Sequence, residues 1–287
     1  MKIGVLFPQT EIGPGPAGVR DYARAVVDLG FTHLITYEHV LGAVSDRLPA
    51  DYRPYGIEDP FHEVFTVFGF LAAVAPELEL ATGILVLPQR PTALVAKQAA
   101  EIDHLTAGKF RLGVGIGWNY AEFEGLGSAF ADRARRMEEQ IHLMRMLWTE
   151  DVVTFKGAYH TIEGCGIRPL PLQKPIPVWI GGAAEPALRR AATLGDGFFP
   201  QRPLEGGWQA TLERMRGWRE QAGLSWEGFG IEARVTIKDG WEAEVETWRS
   251  LGATHLSLST MGLGLKGPAA HAGCLNAVRK RLSLLEH

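Results

Sequence analysis

The sequence predicts an α/β protein, a (β/α)8 TIM barrel with insertion loops, and three observations carry that prediction. About eight short apolar segments alternate with about eight helical segments, and such alternation implies a parallel sheet. The chain has 287 residues and no linker, a length that suits one closed barrel. The rival, an open doubly wound sheet, should carry a GxGxxG turn after its first strand, and the turn from Pro8 to Gly18 lacks that spacing. One domain over residues 1–287 is therefore expected.

Lys2 to Phe7 reads as a buried strand stopped by Pro8, its apolar run too short for a membrane span. From Ala17 to Leu29, Val19, Tyr22, Ala23, Val26 and Leu29 fall near helical spacing, and Gly30 is the stop. Phe31 to Tyr37 is a second strand, followed by the polar pair Glu38-His39. Residues 42–60 are rich in Pro, Asp, Tyr and Arg without periodicity, which marks a long loop of the functional or disordered kind. Phe61 to Ala75 is apolar nearly all round, as a buried helix would be. Leu80 to Leu87 is the third strand, Thr92 to Leu105 a helix and Phe110 to Gly115 the fourth strand.

Phe130 to Trp148 carries the clearest helical pattern, with Met137, Ile141, Met144 and Trp148 on one face. Val152 to Ile162 alternates about a Lys156-Gly157 turn and reads as a small hairpin, and Pro169 to Pro177 as a connector. Strands follow at Val178 to Ile180, Gly197 to Phe199, Gly230 to Val235 and Thr254 to Ser259. Between and after them lie helices at Glu185 to Leu194, at Trp208 to Ala222, around Trp241, Val245 and Trp248, and around Leu275, Val278, Leu282 and Leu285.

The net charge of −4 argues against a general nucleic-acid or anionic-membrane binder, which is usually basic. Cys165 and Cys274 fit no CxxC or Cys/His metal spacing and read as two reduced thiols in a cytoplasmic protein.

Chemistry is expected at the C-terminal ends of the strands. Glu38 and His39 follow strand two, as an acid/base pair, as hydrogen-bonders to a cofactor, or with the His merely packed at the rim. Gly83 interrupts strand three, where it marks a bulge, a close approach to a ligand or a packing glycine. Gly113, Gly115 and Gly117 alternate before Trp118 and Asn119 and would present bare backbone to a flat ring; no Walker-type Gly-Lys-Ser/Thr follows. Gly181, Gly182 and Ala183 stand between a strand and a helix start, where backbone N–H groups suit a phosphate. A turn needing positive φ explains one of those glycines better than both. Tyr37, Trp118, Tyr120, Trp148, Phe198 and Phe199 are candidate pocket aromatics, Trp118 with the strongest positional case. His33, His39 and His62 lack the HxH spacing of a metal-dependent barrel hydrolase.

Two stretches are more specific than any of these motifs: TGILVLPQRPTALVAKQAAEIDHLTAGKFRLGVGIGWNYAEFEGLG (Thr82 to Gly127) and PVWIGGAAEPALRRAATLGDGFFP (Pro177 to Pro200). They resemble the bacterial luciferase-like superfamily of flavin- and deazaflavin-dependent oxidoreductases, and the likeness covers most of the chain. The subgroup most resembled depends on coenzyme F420, a deazaflavin. The resemblance implies a (β/α)8 barrel, usually a homodimer, acting on a small-molecule substrate. It places Glu38-His39 against the deazaflavin, with Glu where Asp is commoner, and a cis peptide bond at Gly83–Ile84 behind the ring. It adds Gly115 and Asn119 as cofactor neighbours and Gly181, Gly182 and Ala183 as the phosphate site. Hydride transfer is the implied reaction, with His39 as acid or base and Glu38 and Trp118 beside it. Some sugar-phosphate-oxidising relatives have a catalytic Glu after the equivalent glycines, where this sequence has Trp118. FMN in place of F420 would imply a monooxygenase using O2, with the 42–60 loop as a lid. A non-catalytic flavin-binding protein is a third reading, and the presence of His39 counts against it. The anionic tail of F420 favours Arg90, Arg168 or Arg202 at the pocket mouth.

Overall fold

The computed structural model describes residues 1–52 and 54–285. Its centre is a ring of parallel strands. The first are β1 (Lys2–Leu6), β2 (His33–Thr36), β3 (Glu79–Thr82), β4 (Leu85–Val86) and β5 (Phe110–Gly115). An antiparallel hairpin of β6 (Val153–Lys156) and β7 (Thr161–Cys165) precedes β8 (Val178–Gly182), β9 (Gly197–Pro200), β10 (Gly230–Thr236) and β11 (His255–Ser259). Around the ring the order is β3, β2, β1, β11, β10, β9, β8, β5, and β5 pairs back with β3 through Leu80–Phe110 and Ala81–Arg111. The sheet is therefore closed. With β3 and β4 taken as one interrupted strand, it is an eight-stranded parallel barrel.

Each barrel strand is followed by helix, as the alternation in the sequence predicts. These helices are α1 (Pro16–Asp28), α2 (Val64–Val74), α3 (Thr92–Leu105), α4 (Tyr120–Gly125), α5 (Arg133–Thr149), α6 (Glu185–Leu194), α7 (Gly207–Gln221), α8 (Trp241–Ser250) and α9 (Gly267–Leu285). Their apolar faces lie on the outside of the ring. In α5, Met137, Ile141, Met144 and Trp148 are fully buried, at the spacing read from the sequence. The Trp148 indole also donates to the Ala96 carbonyl of α3 at 3.0 Å, which satisfies its one polar atom in the core. In α9, Leu275, Val278 and Leu282 are buried; the side chain of Leu285 lies outside the described residues.

Three elements depart from the expected boundaries. The helix after the long loop starts at Val64 because Glu63 caps it, accepting from the N–H and hydroxyl of Thr66 at 2.8 Å each. The helix expected from Phe130 starts at Arg133, and the Phe130 ring instead packs against Tyr120 and Phe123 with the Arg133 guanidinium over its face. The strand expected over Leu80 to Leu87 is two strands separated by Gly83 and Ile84, whose peptide bond is cis.

The barrel interior is unusually polar near the starts of the strands. Strands buried on both faces normally read as continuous apolar runs. Here β10 carries Glu232, whose carboxylate sits 2.7 Å from Arg111 Nη1 and 2.6 Å from His33 Nε2, and accepts from the Ser257 hydroxyl at 2.5 Å. Arg111 also pairs with Glu79, and Glu79 with Lys2 at 3.1 Å. The Trp179 ring covers Arg111 at 4.4 Å. Burial would raise the Glu232 carboxyl, but Arg111 and His33 outweigh it and hold it far below the carboxylate range.

Candidate active site

The C-terminal ends of the strands open onto a small recess. Leu6, Ile35, Ile84 and Phe199 form its apolar walls, and Glu232 and Ser257 reach it from the interior network. Tyr37, Gln201 and Arg234 supply its remaining polar groups. A mostly apolar cleft with a few convergent polar groups is the usual form of a small-molecule site.

The break between β3 and β4 shapes one wall. Gly83 and Ile84 both line the recess. The Ile84 side chain lies where Gly115 and Gly181 would carry Cβ atoms, 2.7 Å and 2.9 Å from those ideal positions. These two glycines make room for Ile84, so Gly115, expected to offer bare backbone to a ring, is covered by that side chain, as is Gly181, expected at a phosphate. Glu38 fastens the same break: its carboxylate is buried, accepts from the Val86 N–H at 2.7 Å and pairs with Arg90. Burial raises the Glu38 carboxyl above the usual carboxylate range even against the pull of Arg90. Both its oxygens are engaged within the chain, so Glu38, expected as an acid/base partner or a cofactor hydrogen-bonder, here clamps the break between β3 and β4.

His39 is held from the far side. Its Nδ1 lies 3.0 Å from Glu122 Oε2, and the other oxygen of Glu122 accepts from the N–H groups of Val40 at 2.6 Å and Leu41 at 3.2 Å. Burial opposes the charge on Glu122, but His39 and those two N–H groups together lower its pKa. The imidazole is walled by Phe61, Tyr55 and Trp118, with ring centres 5.0, 5.5 and 5.8 Å away. Among the described residues nothing hydrogen-bonds its Nε2. A His with one nitrogen fixed by a carboxylate and the other open is the arrangement of a general acid or base. Trp118 makes edge-to-face contacts with Tyr52 of the long loop, at 5.2 Å between ring centres, and with His39, so it joins the loop to the site without lining the recess. Asn119 caps α4, its side-chain oxygen accepting from the Glu122 N–H at 3.3 Å. That cap engages the side-chain oxygen of Asn119, expected at the cofactor, and places Glu122 beside His39.

Residues 1–249 match the model of the family described as luciferase-like monooxygenase. The chain belongs to that family. It is accordingly an oxidoreductase-type enzyme, which removes the non-catalytic reading. An uncharacterized protein of Mycobacterium tuberculosis is 35% identical over 231 residues, 76% of this chain and 80% of its own length. The FMNH(2)-dependent dimethylsulfone monooxygenase of Pseudomonas putida is 30% identical over 217 residues, 71% of this chain but 59% of that longer protein. Among solved structures, monooxygenase RslO1 from Streptomyces bottropensis superposes with a TM-score of 0.78 at 19% identity, covering 100% of both chains. An F420-dependent secondary alcohol dehydrogenase in complex with an F420-acetone adduct superposes at 0.72 with 17% identity, over 90% of this chain and 92% of that one. At such identities these two structures show the shared fold.

In this luciferase-like enzyme the glycines at the end of β8, expected at a phosphate site, serve packing. A Cβ on Gly182 would lie 2.4 Å from that of Ala187, so this glycine permits close packing of strand on helix, and neither Gly181 nor Gly182 has positive φ. Ala183 and Ala184 then lead into α6 with no side-chain cap; Pro186 has no N–H and the Ala187 N–H bonds the Ala184 carbonyl at 2.8 Å, so the backbone donors left at this helix start are those of Ala184 and Glu185, beside the Glu185 carboxylate. Of the candidate arginines, Arg90 is bound to Glu38 and Glu63, and Arg168 to Asp151 at 2.8 Å. Arg202 is exposed and has no ion pair among the described residues. Of the candidate aromatics, Tyr37 and Phe199 line the recess, Trp148 and Phe198 are core, and Tyr120 is exposed. Glu122 and Arg234 escape the sequence reading. The signals for them were the Asn119-x-x-Glu122 helix start and the alternating polar residues of β10.

Proposed function

We propose that the protein is a hydride-transfer oxidoreductase that uses the deazaflavin coenzyme F420 and acts on a small organic substrate. The observation that carries this reading is the His39–Glu122 pair, with Nε2 of His39 open, two residues beyond Tyr37 of an apolar recess. The apolar walls of the recess suit one face of a flat heteroaromatic ring, and the N–H groups of Ala184 and Glu185 at the start of α6 suit its phosphate. When bound, the coenzyme supplies the ring carbon that gives or takes the hydride.

The rest of the chemistry belongs to the chain. Ile84, Leu6 and Phe199 hold the ring and keep water from its face. Ala183 with the N–H groups of Ala184 and Glu185 would hold the phosphate, and Arg202 the anionic tail. His39 Nε2 takes or returns the proton that accompanies the hydride. Glu122 fixes the His39 tautomer and stabilises the imidazolium when it forms.

A second reading, an FMN-dependent monooxygenase, is favoured by the 30% identity to the dimethylsulfone enzyme. It would use the 42–60 loop, through Tyr52 on Trp118 and Tyr55 on His39, as its closure. Turnover assayed with F420 and with reduced FMN, each with and without O2, separates the two. The first reading expects F420-linked turnover that does not need O2. Turnover that strictly requires O2 and reduced FMN would contradict it.

A further inference from the structure

The polar groups of the recess are unequal in what they have left to offer. Glu232 and Ser257 bond each other, and Glu232 is further committed to Arg111 and His33. Arg234 is different. It lies two residues beyond Glu232 on β10, so both side chains leave the same face of the strand. It lines the recess and remains exposed there.

Among the described residues no carboxylate pairs with Arg234; its one hydrogen bond is from Nη1 to the Tyr37 hydroxyl. The Tyr37 ring also lies beside the guanidinium, whose carbon is 5.6 Å from the ring centre. The ionisable groups around it are the phenols of Tyr37, Tyr55 and Tyr52, and burial keeps the first two above the ordinary phenol range and so neutral. Other arginines in the chain, Arg90, Arg111, Arg136, Arg145 and Arg190, each hold an acidic side chain. A guanidinium carries five N–H donors in a planar fork that matches an oxyanion. Here that fork stands against apolar walls with one donor used.

We infer that Arg234, steadied by Tyr37, binds an anionic group of the substrate, so that the enzyme acts on small organic acids: molecules with an apolar body and a carboxylate or an equivalent oxyanion. The inference rests on the reading of the recess as the substrate and cofactor site. An oxyanion could also come from the cofactor. Arg202, exposed and without an ion pair among the described residues, and the Ala184 and Glu185 N–H groups are other places for those charges, and the separate measurement of cofactor affinity distinguishes the two sources.

The test uses the cofactor-loaded enzyme and three probes, benzoate, hexanoate and benzenesulfonate, each paired with its neutral amide. Binding is read by calorimetry in the wild type and in Arg234→Gln, Arg234→Lys and Tyr37→Phe, with cofactor affinity measured separately in every variant. At least one acid should bind better than its amide. Arg234→Gln should weaken that acid by on the order of 10- to 100-fold, the loss of a charge-assisted hydrogen bond. Arg234→Lys should recover part of it, and cofactor affinity should stay within a few fold. Tyr37→Phe should give a smaller loss, so the inference stays testable if the Gln variant folds poorly. Acids and amides binding alike, or a loss of cofactor affinity in Arg234→Gln with acid binding unchanged, would overturn it. Failure of the wild type to take up either cofactor would sink the proposed function instead, and the acid-against-amide comparison on the apoprotein would still decide the role of Arg234.

Discussion

Two neighbouring layers of the barrel interior treat charge in opposite ways. Around Glu232 the charges are matched: Arg111 meets both Glu232 and Glu79, Glu79 meets Lys2, and His33 completes the shell. Two residues further along the same strand, Arg234 meets only phenols. The first layer is closed on itself and serves the fold. The second leaves donors over, and in a recess those donors are available to a ligand. The strand that carries both is where the barrel changes from scaffold to site.

That contrast can be broken experimentally, and the largest effect is expected in the closed layer. Glu232→Leu takes from buried Arg111 one of its two carboxylates and leaves His33 Nε2 with Ser257 alone, and should cost about 3 kcal/mol in urea unfolding. Arg234→Gln, which removes no buried counter-charge, should change stability by under about 1 kcal/mol. Equal losses would show that the two layers do not differ. In the open layer the effects fall on rate. His39→Ala should slow turnover on the order of 100-fold with cofactor affinity kept, as loss of a positioned acid/base does. An unchanged rate removes His39 from the chemistry. Glu122→Gln should cost about tenfold in kcat with little change in KM, since its partner stays in place but loses orientation and charge support. A loss confined to KM would argue for a role in binding alone.

Smaller than the loss expected in Glu232→Leu is a pH dependence. Burial, reinforced by Arg111, pushes His255 down to about 4. In the unfolded chain a histidine titrates near pH ~6.5. Between those values the unfolded chain binds the extra proton, so stability falls as the pH falls through that window. Because the ring is partly exposed, this should amount to about 1–2 kcal/mol at most. His255→Phe, which can keep the edge contact to Trp179, should flatten this part of a melting-temperature profile. A profile with the same slope would rule His255 out as its source.

The barrel itself was legible in the sequence because its signals are local. Helical spacing in Met137, Ile141, Met144 and Trp148, the apolar run Lys2 to Phe7 and the strand–helix alternation are all patterns of near neighbours. The break after Thr82 was legible as a glycine in an apolar strand, and His39 as a polar residue at a strand end. What stayed hidden is what depends on distant partners. Glu122 reaches His39 across 83 positions, and no periodicity announces such a pair. Gly115 and Gly181 looked like ligand contacts because the side chain that fills their space, Ile84, comes from another strand. Glu38 looked reactive because neither the Val86 N–H nor Arg90 could be placed beside it from spacing alone.

The central claim is that the recess beside His39 takes a deazaflavin ring. The most direct test is to titrate the apoprotein with F420 and with FMN while following tryptophan emission. Trp118 lies 5.8 Å from His39, between ring centres, and should report the bound ring. The account predicts tighter binding of F420 than of FMN, with quenching that shrinks in Trp118→Phe. Tight binding of FMN alone would contradict the F420 reading, and binding of neither would contradict the mechanism as a whole.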